Sequence, residues 1–365
     1  MKRRRINLLI SYCIAWTAAF IFLSIVRGVG TEETGNLQFE TSDSFFISIL
    51  LGPIIGLLTG FSQLWLEEYL YKRISLRKFL ATRLVYSIFF MIFMAVSAYF
   101  IYALYFGVPI TFSVFALEEG SFAIYLYVLV VDFFIAVIRQ VNLMLGEGNL
   151  MKLIKGQFYH PREENRIFMF LDLQSATSHA ERLGHIQYSQ LIQDCFNDLG
   201  AVIRFETEII QYVGDEAVLS WEQDRGIRHQ NCLKAYFSFQ SVLASKKAYY
   251  EEKYDCLPFF KAGVHLGTVT VTEVGKYKRD IAYHGDVLNT AARIQGQCNV
   301  YKEALLISEE LQQELSGEGY QFTPLGTVAL KGKAKEVEIV AVAEDMPHNL
   351  GSTGSLSSAS TPKAH

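Results

Sequence analysis

Two hydrophobic patterns divide the chain. In its first part apolar residues run almost unbroken: residues 6–26, 44–66 and 84–108 carry no charged side chain, and 121–138 carries only Asp132. Each run is about the length a helix needs to cross a hydrocarbon core of roughly 30 Å. Four spanning helices are expected. From Arg166 onward short apolar runs alternate with helical spacing. Residues 167–173 read as a buried strand, and 179–199 as a helix with Leu183, Ile186, Leu191, Ile192, Cys195 and Phe196 mostly on one face. Residues 202–213 and 217–221 read as strands around a Gly214-Asp215 turn. A long helix over 228–250 follows, then a hairpin of 259–265 and 268–274 about Leu266-Gly267. Gly285 opens a helix through Gln297, and 304–307, 320–328 and 336–342 complete the strands. Strands with helices packed on one face predict an α+β sandwich behind an α-helical membrane domain.

Charge adds a direction. The net charge of −4 hides a division between the loops. Residues 2–5 are Lys-Arg-Arg-Arg, and the loop after the second run carries Lys72, Arg73, Arg77 and Lys78. The loops after the first and third runs carry Glu32, Glu33, Glu40, Glu118 and Glu119. The positive-inside bias predicts both termini in the cytoplasm and a multi-pass protein of the inner (plasma) membrane. The first run is longer than a signal-peptide core and no small-x-small site follows it, so it reads as an uncleaved anchor. The five cysteines show no CxxC spacing, and His160, His179, His185, His229, His265 and His284 show no metal-ligand spacing. The expected organisation is a four-helix transmembrane domain over 1–141, a connector over 142–165, a catalytic domain over 166–345 and a disordered, Gly/Ser/Thr-rich tail over 346–365.

Polar residues on apolar or turn-like frames mark the candidate chemistry. Asp172 interrupts Phe170-Leu171-Asp172-Leu173, where a carboxylate costs free energy unless it is paired, metal-bound or capping the strand end. Asp215 sits at a Gly-Asp turn, which is also ordinary turn chemistry. If their strands pair, the two carboxylates supply the hard oxygen ligands that magnesium takes alongside substrate phosphates. Asn289 and Arg293 are four apart and share a helix face, which a solvated surface would also explain. Leu330-Lys331-Gly332-Lys333 closes the set and could equally be a surface turn.

Taken together, Phe-Leu-Asp-Leu at 170–173, Val-Gly-Asp-Glu at 213–216, Gly-Asp-x-x-Asn-x-x-x-Arg at 285–293 and Leu-Lys-Gly-Lys at 330–333 resemble the catalytic domain of class III nucleotidyl cyclases. The resemblance covers roughly residues 166–343 and implies a ferredoxin-like sandwich. It also implies cyclisation of a nucleoside triphosphate with release of pyrophosphate. Asp172, Asp215 and the Leu173 carbonyl would bind two Mg2+ or Mn2+ ions per site. Asn289 would orient the ribose, Arg293 would stabilise charge on the α-phosphate, Lys331 or Lys333 would hold the terminal phosphates, and the amides of Ser175, Ala176 and Thr177 would cradle phosphate. The family's site lies at a dimer interface, and this chain carries both half-sets, so a homodimer is implied.

The sequence departs from the pattern at base selection. Gln211 stands where adenylyl cyclases usually carry a lysine, and Ala282 where they carry Asp or Thr. The Glu and Cys-type selectors of guanylyl cyclases are absent too. A glutamine amide both donates and accepts, so Gln211 could read N1 and N6 of adenine or a pyrimidine. The leading expectation is a membrane adenylate cyclase making 3′,5′-cyclic AMP from ATP. The alternatives are a pyrimidine (cUMP or cCMP) or guanylate cyclase, or a non-catalytic cyclase-like receptor module. No nucleic acid is expected as partner; the bilayer is, with a small or lipidic ligand or a protein open to the membrane domain.

Overall fold

A computed structural model of the chain describes residues 2–28, 41–69, 76–106, 111–117, 119–146, 148–328 and 336–345. The tail expected over 346–365 lies outside them.

The apolar runs fold as α1 (Lys2–Gly28), α2 (Thr41–Tyr69), α3 (Leu76–Phe106) and, after a short α4 (Phe112–Leu117), α5 (Glu119–Leu145). The segments Arg5–Arg27, Phe45–Glu68, Arg77–Phe100 and Ser121–Leu145 are each long and apolar enough to cross a membrane. Gly52, Gly56 and Gly60 recur at helical spacing on α2 and press against α1. A Cβ at Gly56 would lie 2.4 Å from the Cys13 Cα, and one at Gly52 2.5 Å from the Thr17 Cα. Small residues of this kind let helix backbones meet where apolar side chains gain little over lipid. Gly56→Leu is therefore expected to pry α1 from α2 at a cost of about 2–3 kcal/mol, lowering the melting temperature in detergent by roughly 5–10 °C. A thermal melt unchanged by the substitution would show that the two helices do not depend on this approach.

Asp132 and Arg139, which share one face of α5, each find a partner on another helix. Arg83 Nη2 bonds Asp132 Oδ1 at 2.5 Å and Ser87 Oγ donates to Asp132 Oδ2 at 2.6 Å, all within the bundle. Arg139 grips Glu67 with two bonds, at 2.7 and 2.8 Å. Gln63 joins the two pairs, accepting from Arg83 Nη1 and donating to Glu67 Oε1, each at 2.9 Å. Leu8, Tyr12, Trp16, Ile55, Phe90 and Val128 form an apolar core contributed by α1, α2, α3 and α5.

After α6 (Asn149–Ile154) the elements are β1 (Arg162–Leu173), α7 (Ala176–Leu199), β2 (Glu208–Val213), β3 (Glu216–Glu222), α8 (Gln223–Ile227), α9 (Asn231–Ser245), α10 (Lys247–Tyr254), β4 (Phe260–Val274), β5 (Asp280–His284), α11 (Asp286–Tyr301), β6 (Leu305–Ser308), α12 (Glu309–Glu314), β7 (Tyr320–Val328) and β8 (Val337–Glu344). The strands run in the order β2-β3-β1-β4-β6-β8-β7, with β5 paired to β4. β1 and β3 are antiparallel, β4 and β6 parallel, and β8 antiparallel to both β6 and β7.

Three expectations need correction. Residues 202–205 are not strand: a 3-10 turn spans Gly200–Phe205, closed by the left-handed Glu206 and by the Thr207 hydroxyl on the Val202 carbonyl at 2.8 Å. The helix expected over 228–250 starts only at Asn231, after left-handed His229 and Gln230, and breaks between Ser245 and Lys247. The hairpin about Leu266-Gly267 is a single strand, β4. Gly267 marks a close approach and no turn, since a Cβ there would lie 2.6 Å from Val287 Cγ2. The chain reverses instead after Gly275, at φ +91°.

The described parts of Met1–Glu163, His185–Ile210 and Thr270–Tyr283 form one compact unit, and those of Glu164–Gly184, Gln211–Val269 and His284–His365 a second. In the first, Lys152 pairs with Glu208 at 3.5 Å and the Glu273 amide donates to the carbonyl of buried Phe158 at 2.9 Å. The second is built on β1, whose Ile167, Phe168, Met169 and Leu171 are fully buried, as are Val218 and Leu219 of β3.

Candidate active site

The burial of β1 is interrupted at Asp172, half-buried between buried Leu171 and Leu173. With β3 on one side and β4 on the other, the strand is apolar from Ile167 to Leu171. The register pairs Asp172 with Glu216, the residue after Asp215. Left-handed Gly214 turns β2 into β3, so the pairing itself delivers both aspartates to one edge. There they line a cleft of about 350 Å3 with residues 173–178, Lys261, Gln295 and Asn299. The floor is the turn from β1 into α7, where Ser175 takes a left-handed φ of 59° and the Gln174 amide bonds the Phe259 carbonyl at 2.9 Å. The first-turn amides of α7, from Ala176 on, lie beyond any intrahelical carbonyl.

The cleft is electrostatically crowded. Burial, then the charge of Asp215, raises the Asp172 carboxyl above its ordinary range, and a hydrogen bond from Gln295 offsets part of this. Burial and the charges of Asp172 and Asp215 raise Glu216 likewise. Like-charged carboxylates in a half-dry pocket disfavour each other's ionisation and favour a cation between them. Hard oxygen donors suit Mg2+ or Mn2+. Among the described residues no three His, Cys, Asp or Glu side chains converge to hold an ion alone. An ion here would draw further ligands from backbone, nucleotide and water.

The other candidates fall in different places. Asn289 is exposed and Arg293 half-buried on α11; neither lines the cleft. The Arg293 Nη1 is buried without a hydrogen-bond partner. Gln211 is exposed on β2 and Ala282 half-buried on β5, and neither lines the cleft either. Lys331 and Lys333 lie outside the described residues. Buried His265 bonds Ser308 Oγ at 2.8 Å, a partner within the core.

Five lining residues escaped the sequence reading: Gln174 and Ser178, which flank the predicted phosphate-binding amides, and Lys261, Gln295 and Asn299. Lys261 alternates with buried Phe260 and Ala262 on β4, and its ammonium donates to Asn299 Oδ1 at 2.9 Å. A lone cation between buried neighbours was the available signal. Gln295 and Asn299 repeat the four-residue spacing of Asn289 and Arg293, but nothing in their chemistry separates them from a solvated face.

Comparison with known proteins fits this geometry. Residues 158–343 match the family model described as the adenylate and guanylate cyclase catalytic domain. Over 224 residues the chain is 29% identical to adenylate cyclase 2 of Rhizobium meliloti (strain 1021), covering 61% of this chain and 62% of that protein. It is 26% identical over 187 residues to an adenylate cyclase of Anabaena cylindrica, covering 48% of this chain and 36% of that one. The chain thus spans less than two thirds of the length of either relative. A bacterial light-regulated adenylyl cyclase superposes with a TM-score of 0.51 at 18% identity, over 58% of this chain and 62% of that one, a likeness of fold.

Proposed function

Because the chain belongs to the adenylate and guanylate cyclase catalytic-domain family, we propose that it is a membrane adenylate cyclase, converting ATP to 3′,5′-cyclic AMP and pyrophosphate. The observation that carries this reading is the cleft where Asp172, Asp215, the turn over 173–178 and Lys261 converge in one chain. Asn289 and Arg293 stand on the same unit outside that cleft, as a site completed by a second copy requires. The working enzyme in this proposal is a homodimer. The four apolar helices of residues 1–141 sit in the inner (plasma) membrane, with both termini cytoplasmic; 142–165 is the connector and 166–345 the catalytic domain.

Asp172, Asp215 and the Leu173 carbonyl would hold two Mg2+ or Mn2+ ions. When bound, such ions activate the ribose 3′-hydroxyl and neutralise phosphate charge. The chain's own groups position and complement the charge, which is most of what phosphoryl transfer requires. The amides of Ser175, Ala176 and Thr177 receive phosphate oxygens at the start of α7. Lys261, aimed into the same cleft, neutralises the terminal phosphates, a task shared with Lys331 or Lys333. Arg293 brings an unpartnered Nη1 to the α-phosphate of the other protomer's nucleotide, and Asn289 holds that ribose. The 3′-oxygen then displaces pyrophosphate in line from the α-phosphorus.

Gln211 and Ala282 in place of the usual purine selectors favour a second reading, a pyrimidine or guanylate cyclase. Full-length protein supplied in parallel with ATP, GTP, CTP and UTP in Mn2+ separates the two by mass spectrometry. Cyclic AMP is expected to dominate by at least about tenfold, a preference of roughly 1.4 kcal/mol. A dominant cyclic UMP, CMP or GMP peak would overturn the adenylate assignment and leave the cyclase chemistry standing.

A further inference from the structure

One helix, α11, presents two pairs of polar residues at four-residue spacing. Asn289 and Arg293 form one pair and Gln295 and Asn299 the other, roughly 120° apart around the axis at 3.6 residues per turn. Gln295 and Asn299 line the cleft of their own chain. The helix cannot rock freely there. A Cβ at Gly263 of β4 would lie 2.1 Å from the Gln295 nitrogen, 2.5 Å from its Cα and 2.6 Å from the Ala291 carbonyl oxygen. The missing side chain at Gly263 seats the Gln295 backbone directly on the strand. From that fixed base Gln295 faces the cleft that Asp172 also lines, within hydrogen-bonding reach of the Asp172 carboxylate. Gly263 itself is held by buried Ala262 and Val264 and by parallel pairing with Leu306.

We infer that Gln295 is a positioning residue for the metal-binding cleft of its own chain: its amide donates to Asp172, fixes the carboxylate's orientation, and leaves the remaining oxygen lone pairs aimed at the ion. The inference rests on the cyclase reading. Its consequence is that a single rigid helix holds Asp172 of one site and carries the Asn289–Arg293 pair proposed to serve the other. Groups that hydrogen-bond a ligating carboxylate typically change metal affinity by about 10–100-fold when removed.

The test measures metal binding apart from turnover. Mn2+ binding to full-length protein in detergent, with α,β-methylene-ATP present, is followed by loss of the free-ion EPR signal. Gln295→Met keeps the bulk and the helix propensity but has no donor, and is expected to weaken Mn2+ binding about tenfold with an unchanged melting temperature in metal-free buffer. Gln295→Ala should do the same and guards against a packing artefact in the methionine variant. Mn2+ affinity within twofold of the parent in both variants overturns the inference.

A mixed complex then separates the two readings. An Arg293→Ala chain co-assembled with an Asp172→Ala chain holds one complete site. Adding Gln295→Met to the Arg293→Ala chain, which keeps Asp172, should raise the Mn2+ concentration for half-maximal activity about tenfold. Adding it to the Asp172→Ala chain should leave that value unchanged. Equal shifts in both placements overturn positioning within one chain. An inactive mixed complex overturns the shared-site reading, while the EPR result still decides the role of Gln295.

Discussion

Asp172→Ala is expected to abolish cyclic nucleotide formation, by about a thousandfold or more. A ligand that anchors an ion contributes several kcal/mol of transition-state charge stabilisation, and each 1.36 kcal/mol is a factor of ten. Removing the carboxylate's charge alone, as in Asp172→Asn, should act in the opposite direction on the metal-free fold. Asp172 is held above its ordinary carboxylate range by burial and by the charge of Asp215. A carboxyl whose pKa is raised by folding contributes stability below its unfolded pKa and loses that contribution as pH rises through the folded one. At neutral pH the ionised group is then a liability, and Asp172→Asn should melt no lower than the parent without metal. Mn2+ should raise the melting temperature of the parent and leave that of Asp172→Asn nearly unmoved. Scanning fluorimetry at pH 7 with and without Mn2+, beside a cyclase assay, reads both effects. Retained turnover in Asp172→Ala would place the chemistry elsewhere. A folded, dimeric and inactive parent would favour a receptor module instead.

The second large effect lies in the helical bundle. Asp132→Ala removes the carboxylate that accepts from both Arg83 and Ser87, with Arg83 and Asp132 almost entirely inaccessible. Stripping one partner from a buried pair leaves an uncompensated charge and typically costs about 3–5 kcal/mol, whereas removing both charges can be neutral. Asp132→Ala should therefore unfold at markedly lower temperature in detergent, and Arg83→Met with Asp132→Leu should recover most of the loss. Gln63 and Ser87 would each lose a bond in the double variant, so recovery short of complete is expected. A single variant as stable as the parent would mean that the pair does not hold α3 to α5.

What the sequence disclosed followed from periodicity and from chemistry with few alternatives. The four apolar helices, β7 and the Asp172 strand were legible because long runs and an isolated carboxylate admit few readings. The segment at Leu266-Gly267 was misread because glycine serves two opposite needs, a turn or a close approach. Only the position of Val287, twenty residues on, decides between them. Lys261, Gln295 and Asn299 were missed for a related reason, Lys261 despite its place between two apolar neighbours. Their place depends on β4 lying beside β1 and on α11 lying on β4, which are pairings in space. The partner of Asp132 was also hidden: Arg139 sits on its own helix and bonds Glu67, while Arg83 on α3 takes the aspartate.

That charged lattice bears on which stimuli the bundle can feel. Arg83 and Arg139 balance Asp132 and Glu67, and of these four α5 contributes one of each sign, Asp132 and Arg139. Moving an elementary charge through a membrane potential involves about 2.3 kcal/mol per 100 mV, but a set that sums to zero does no electrical work when it moves as a block. Voltage can act on this lattice only by sliding α2 or α3 along α5, which would first have to break the ion pair that joins the moving helix to α5.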